Sequence, residues 1–201
     1  MCGIIGYSGP KEPLPILIGG LSRLEYRGYD SAGVAILDGK KLTIEKKEGK
    51  LQVLKDHLED KKIIGNIGIG HTRWATHGIP NNINAHPHSD NQKEFAIIHN
   101  GIIENYAEMK DDLLKENYIF ESDTDTEVVA VELGNQWTGR LLETVTNVAK
   151  KLDGTYALVV TSTKEPGTIV AGRMMSPLVL GVGEGETFLA SDSAAILEHT
   201  N

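Results

Sequence analysis

One cysteine, Cys2, is all that the 201 residues carry, so no internal disulfide forms and no all-cysteine metal or iron–sulfur site can be built. Positive charge is also short. Lys+Arg is 20 against 28 Asp+Glu, a net charge of −8, which argues against a dedicated nucleic-acid binder because such a protein needs a basic face for phosphates. The pairs Lys40-Lys41, Lys46-Lys47, Lys61-Lys62 and Lys150-Lys151 are dispersed and read as solvated surface. No apolar run approaches the ~20 residues of a membrane span. The start, Met1-Cys2-Gly3-Ile4-Ile5, has no basic region and no cleavage signature, so no signal peptide is expected. These absences point to a cytoplasmic setting with neither a nucleic-acid nor a membrane partner. Internal repeats, low-complexity tracts and linkers are missing too. With 40% hydrophobic and 24% charged residues, the chain has the composition of a globular domain able to bury a core.

Strand-like and helix-like segments alternate along the chain. Ile4 to Tyr7 is a short apolar run closed by Ser8-Gly9-Pro10, and Leu14, Leu17, Ile18, Leu21 and Leu24 recur at helical spacing before Gly28. Ser31–Leu37 and Leu42–Lys46 flank Asp38-Gly39, a hairpin signal. Leu51, Leu54 and Leu58 mark a second helix, and Ile63 to Arg73 reads as a strand. Residues 74–92 hold two prolines and four asparagines, a stretch too irregular for core and long enough to be functional. Phe95–His99 is a buried strand. Tyr106, Met109 and Leu113 mark a helix, Thr124 to Glu127 a capping box opening another, and Leu141, Val145, Val148 and Leu152 one more. Tyr156–Thr161, Thr168–Arg173, Leu178–Val182 and Phe188–Ser191 read as strands, with a short helix from Asp192 to Leu197. Strands at both ends and helices between them suit two stacked, mainly antiparallel sheets under helices better than a doubly wound parallel sheet.

Several residues carry chemistry. Cys2 becomes the first residue if Met1 is removed, which puts a thiol and an α-amine of ordinary pKa about 7.7–8.0 on one residue, a nucleophile beside its own base. The bland alternative is a small buried residue opening a strand. Asn100-Gly101 offers a side-chain amide and a backbone N–H for an oxyanion, or else a type I′ turn. Arg73, at a strand end, suits bidentate grip of a carboxylate, and Trp74 and Thr76 suit closure over a small polar ligand; a surface ion pair and a core tryptophan are the alternatives. Asp123 and Asp125 head a helix, where they either cap it or bind an ammonium group. Five of the seven histidines (His71, His77, His86, His88, His99) fall between positions 71 and 99. Their spacing matches no zinc-enzyme pattern, so loop hydrogen bonding is expected rather than a metal, and no cofactor is called for.

Taken together, the strings Cys2–Gly6, Tyr26–Gly33, His71–Gly78, Asn84–His88, His99–Asn105 and Ser122–Glu127 resemble, in order and rough spacing, the class II (N-terminal nucleophile) glutamine amidotransferases, and within that family the glutaminase half of the glucosamine-6-phosphate synthases. The resemblance implies the α+β, four-layer αββα fold of N-terminal nucleophile hydrolases over residues 1–201. It implies Cys2 as the nucleophile toward the side-chain amide of L-glutamine, releasing L-glutamate and ammonia, with its freed α-amine as proton shuttle. Asn100 and Gly101 would bind the oxyanion, Arg73 the α-carboxylate and Asp125 the α-ammonium, while Trp74, Thr76, His77 and Gly101 would line the pocket. It further implies a longer, homo-oligomeric parent whose C-terminal sugar isomerase part uses the ammonia on fructose-6-phosphate, so that 1–201 is expected to be a fragment lacking its last strands. Another class II parent, or a glutamine-binding module blocked by a retained Met1, are the alternatives.

Overall fold

In strand β1 (Gly3–Ser8) successive side chains enter two different cores. Ile4 packs with Ile69, Ile98 and Val159, while Ile5 and Tyr7 pack with Leu17, Leu21 and Phe188 beneath helix α1 (Pro13–Leu24). A strand that is apolar on both faces must be covered on both, and the rest of the chain supplies the covers. The computed structural model of the chain describes residues 2–74 and 78–200.

Strands β2 (Ser31–Asp38), β3 (Lys41–Glu48), β4 (Ile67–Arg73), β9 (Val179–Val182) and β10 (Thr187–Ala190) join β1 in a six-stranded sheet of order β3-β2-β4-β1-β10-β9. Strands β5 (His88–Ser89), β6 (Phe95–Ile103), β7 (Gly154–Ser162) and β8 (Ile169–Met174) make a four-stranded sheet in chain order. Every pairing between these strands is antiparallel. The two sheets face each other across Ile4, Ala35, Ile69, Ala96, Ile98, Ala157 and Val159. Helices α1 and α2 (Leu51–Leu58) cover the outer face of the larger sheet; α4 (Asp125–Asn135) and α5 (Leu141–Ala149) cover the smaller, with α3 (Tyr106–Lys115) against α4. The layers run helix, sheet, sheet, helix, as expected from the pattern and the resemblance.

Some boundaries differ from expectation. The strand before Arg73 begins at Ile67 rather than Ile63, because the ladder with β2 ends at the Leu37–Ile67 pair. The Asp192–Leu197 helix is a single 3-10 turn, Ser193–Ala195, capped by the Asp192 side chain. Leu152 follows α5 rather than belonging to it, though it packs in the same core. In the capping box, Thr124 accepts from the Glu127 N–H at 3.3 Å, but the Glu127 carboxylate reaches past Thr124 to the backbone N–H groups of Glu121 and Ser122 at 2.9 and 2.7 Å. Part of the 74–92 stretch is core after all: Ala85, His86, Pro87 and His88 are buried and β5 pairs with β6. Its polar groups enter the interior because they find partners there, as the Asn84 side chain does by donating to the Ile79 carbonyl and accepting from the Asp123 N–H.

The period of two also positions the site. Ile69, His71 and Arg73 lie on one face of β4; Ala96, Ile98 and Asn100 lie on one face of β6; Cys2 extends the row of Ile4. These are the inner faces, so the apolar stack between the sheets passes at one end into a cluster of polar side chains.

Candidate active site

Cys2 sits one residue before β1, and the register that pairs Gly3 with Thr72 brings it opposite the end of β4. Its Sγ accepts the Trp74 backbone N–H at 3.2 Å. Burial pushes the thiol above its ordinary pKa, partly offset by that N–H, so the sulfur is held as a thiol that needs a base to become a nucleophile. It is half-buried and lines a cleft, where a packed strand opener would be fully buried.

Asn100 and Gly101 are not a turn. The ladder with β7 runs straight through them, Asn100 opposite Ala157 and Gly101 opposite Tyr156. Nine residues of pairing outweigh the local preference of Asn-Gly for a hairpin. Asn100 Nδ2 donates to the Cys2 carbonyl at 3.0 Å, and its Oδ1 lies 3.0 Å from His71 Nε2. Gly101 adopts φ 130°, and a Cβ there would stand 1.9 Å from the Thr155 carbonyl oxygen. Only glycine fits.

Arg73 is buried, not a surface ion pair, and its Nη2 donates to the Gly78 carbonyl at 3.3 Å. Trp74 is the reverse of a core residue: it is 48% exposed, with its ring edge-on to Tyr29 at 5.4 Å. The backbone of Arg73 rests against Gly28, where a Cβ would lie 2.7 Å from the Arg73 carbonyl carbon. Asp125 is buried at the start of α4; its Oδ2 accepts the Ile103 N–H at 2.9 Å and its Oδ1 the Thr126 hydroxyl at 3.2 Å. Asp123 is engaged instead with Asn84. Thr76 and His77 lie outside the described residues.

Cys2, Arg73, Trp74, Gly101 and Asp125 line one cleft with His86, His99, Thr124 and Thr126. The volume between these walls is about 20 Å³, room for roughly one water, so a larger ligand enters only if a wall moves. A groove of about 1130 Å³ between the open edges at β3 and β5 shares no lining residue with the cleft, and there lysines and glutamates intermingle.

Four histidines are buried at the cleft, His86 and His99 lining it and His71 and His88 outside its lining. The His71 and His86 rings stack at 4.3 Å, and His88 meets His86 edge-on at 4.7 Å. Burial lowers His71 to about 3 and holds His86 and His88 well below the ordinary value, so all three are neutral. Their nitrogens bond to Asn100, Thr126 and Thr124. Among the described residues no group of three or more His, Cys, Asp or Glu is arranged to hold a metal.

Residues 55–201, well over half of the chain, match the family model described as a glutamine amidotransferase domain. The chain belongs to the glutamine amidotransferase family. This amidotransferase chain is 54% identical over 200 residues to the glutamine–fructose-6-phosphate aminotransferase (isomerizing) of Aquifex aeolicus, covering 100% of the chain and 34% of the relative. It is 52% identical, at 33% coverage, to the enzyme of the same name from Clostridium acetobutylicum. It thus spans about a third of the length of the curated relatives it matches. Among solved structures, the glutamine phosphoribosylpyrophosphate amidotransferase of B. subtilis, complexed with ADP and GMP, superposes with a TM-score of 0.86 at 29% identity, over 99% of this chain and 44% of that one.

The sequence marks His71 only as one of a histidine group and Thr126 only as part of a capping segment. Both stand in the strings that carried the resemblance, but a threonine in a capping segment and a histidine in a strand have commoner roles, and only the assembled site separates them.

Proposed function

We propose that this domain hydrolyses the side-chain amide of L-glutamine to L-glutamate and ammonia through a thioester on Cys2. The observation that carries the reading is one cleft lined together by the Cys2 thiol, buried Arg73 and buried Asp125. Glutamine is a zwitterion at one end and an amide at the other. Arg73 would take its α-carboxylate and Asp125 its α-ammonium, leaving the amide carbon over Sγ. Removal of Met1 would free the α-amine of Cys2 to accept the thiol proton. Sulfur would attack the amide carbon, and Asn100 Nδ2 would move from the Cys2 carbonyl to the new oxyanion, with the Gly101 N–H as second donor. The amine would return its proton to the leaving nitrogen as the C–N bond breaks, and water would then cleave the thioester. Trp74, exposed with its ring edge-on to Tyr29, is the wall we expect to move, and Thr76 and His77 would complete the pocket.

In a longer chain of the relatives' kind, the ammonia would aminate fructose-6-phosphate to glucosamine-6-phosphate, with residues 1–201 as the glutaminase domain. The cytoplasm, where a lone thiol stays reduced, is the setting that suits it. The test is glutamate release from glutamine by protein whose mass shows that Met1 has been removed, before and after Cys2→Ala. Activity is expected in the first and at least a thousandfold less in the second. Activity retained in Cys2→Ala sinks the nucleophile.

A further inference from the structure

His71 lines no part of the cleft, yet its ring touches the residue that faces the sulfur's own carbonyl. It is 1% exposed, on the inner face of β4. Its Nε2 stands 3.0 Å from Asn100 Oδ1 and 3.0 Å from the His99 carbonyl. Neither oxygen has a hydrogen to give, so Nε2 carries it and is the donor to both. With its pKa down at about 3 the ring is neutral, which leaves Nδ1 without a proton. His71 is therefore a donor of one fixed tautomer.

The consequence falls on Asn100. A side-chain amide has a donor end and an acceptor end of nearly equal size. With Oδ1 on the imidazole N–H, Nδ2 must face Cys2. Turned over, the amide would set its NH₂ against Nε2–H and its oxygen against the Cys2 carbonyl, two repulsive contacts in a buried place. We infer that His71 is a positioning residue for the glutaminase reaction: its Nε2–H locks Asn100 with the amide NH₂ aimed at the oxygen that becomes negative in the transition state. The inference rests on the proposed function, which gives Asn100 that oxyanion. A second observation bears on it. Nδ1 of His71 is buried without a hydrogen-bond partner among the described residues. An orphaned polar atom costs stability that a leucine in the same place would not, so packing alone is a poor reason for histidine here.

The experiment uses protein lacking Met1 and compares wild type, His71→Leu, His71→Gln, Asn100→Ala and the double variant His71→Leu/Asn100→Ala, with thermal unfolding measured alongside. Glutamine can present an amide N–H where Nε2 stood; leucine cannot. His71→Leu is expected to lower kcat by about 10- to 100-fold with KM for glutamine within about twofold, and His71→Gln to recover most of that loss. In the Asn100→Ala background His71→Leu should cost less than about twofold, since no amide is left to orient. A His71→Leu kcat within twofold of wild type, a loss carried by KM, no recovery in His71→Gln, or an undiminished loss in the double variant overturns the inference. Should the variants not fold, the assigned ¹⁵N resonances of His71 in the wild type decide it. A neutral Nε2–H ring down to pH 5 is expected, and an Nδ1–H ring or titration near 6.5 overturns it. A wild type that releases no glutamate refutes the proposed function by a separate reading, and the tautomer measurement then stands on its own for His71.

Discussion

Thr126 gives its hydroxyl hydrogen to Asp125 Oδ1 at 3.2 Å while His86 Nε2 and His99 Nδ1 each lie 2.9 Å from the same hydroxyl oxygen. A threonine hydroxyl has one hydrogen and two lone pairs. The hydrogen is committed to the carboxylate, so both imidazole nitrogens must be donors. Fully buried, Thr126 thus turns two imidazole rings into a brace for the carboxylate. Thr126→Val keeps the volume and removes the brace. It is expected to raise KM for glutamine roughly tenfold with kcat nearly unchanged, and to destabilise the fold by about 2–3 kcal/mol, since two buried N–H groups lose their acceptor. Steady-state kinetics and urea unfolding check both, and an unchanged KM would mean that Asp125 is set by the Ile103 N–H alone.

Alternation made most of this architecture readable in advance. Ile4 beside Ile5, and Ile97 beside Ile98, declare strands covered on both faces, and such strands imply two helix layers outside two sheets. The same alternation carries Arg73 and Asn100 to one end of the inter-sheet layer. What it does not carry is decided by contacts distant in sequence. Asn100-Gly101 looks like a turn until β7 is laid beside it. Thr126 looks like part of a cap until the outer face of β6 brings His99 against it. The histidines between 71 and 99 suggest a loop network, and the network is real, but its members sit on two sheets and an intervening segment, with a helix hydroxyl as their hub.

Acid should unfold this protein early. His71, with a folded pKa of about 3, and His86 and His88, both held well below 6.5, stay neutral in the fold and take up protons once exposed. For a base whose folded pKa is depressed, the unfolded state binds more protons between the two values, so stability is complete above about pH 6.5 and falls as pH drops below it. Each ring that stays neutral in the fold removes about 1.4 kcal/mol between pH 7.5 and 5.5, before carboxylates contribute much. Urea midpoints at the two pH values measure this. His88→Phe should reduce the difference by about a third, and a flat profile would mean that the rings already titrate in the native state.

Glu127 anchors the approach to α4. Its buried carboxylate takes the Glu121 N–H at 2.9 Å, the Ser122 N–H at 2.7 Å and the Ser122 hydroxyl at 2.7 Å. Glu127→Gln preserves the shape but turns one acceptor into a donor that faces donors. A loss of about 2–3 kcal/mol is expected, because a charge-assisted bond disappears and a buried N–H goes unmet. Chemical denaturation gives the number. A variant as stable as wild type would show that Ser122 and Thr124 hold the turn without it.

Gly101 offers the sharpest contrast of position. It is the site residue with φ 130°, where a Cβ would press to 1.9 Å against the Thr155 carbonyl, and neither the clash nor the backbone angle can be relieved without breaking the β6–β7 ladder. Gly172, in β8, has nothing within 4 Å of its would-be Cβ and no positive φ. Gly101→Ala is expected to lose more than about 3 kcal/mol and, where folded protein is recovered, nearly all glutamate release; Gly172→Ala should be neutral or slightly stabilising. Parallel urea titrations and glutaminase assays of the two variants make the comparison. Equal effects would show that glycine loss in this sheet acts through general strand stability rather than through the geometry at Asn100 and Gly101.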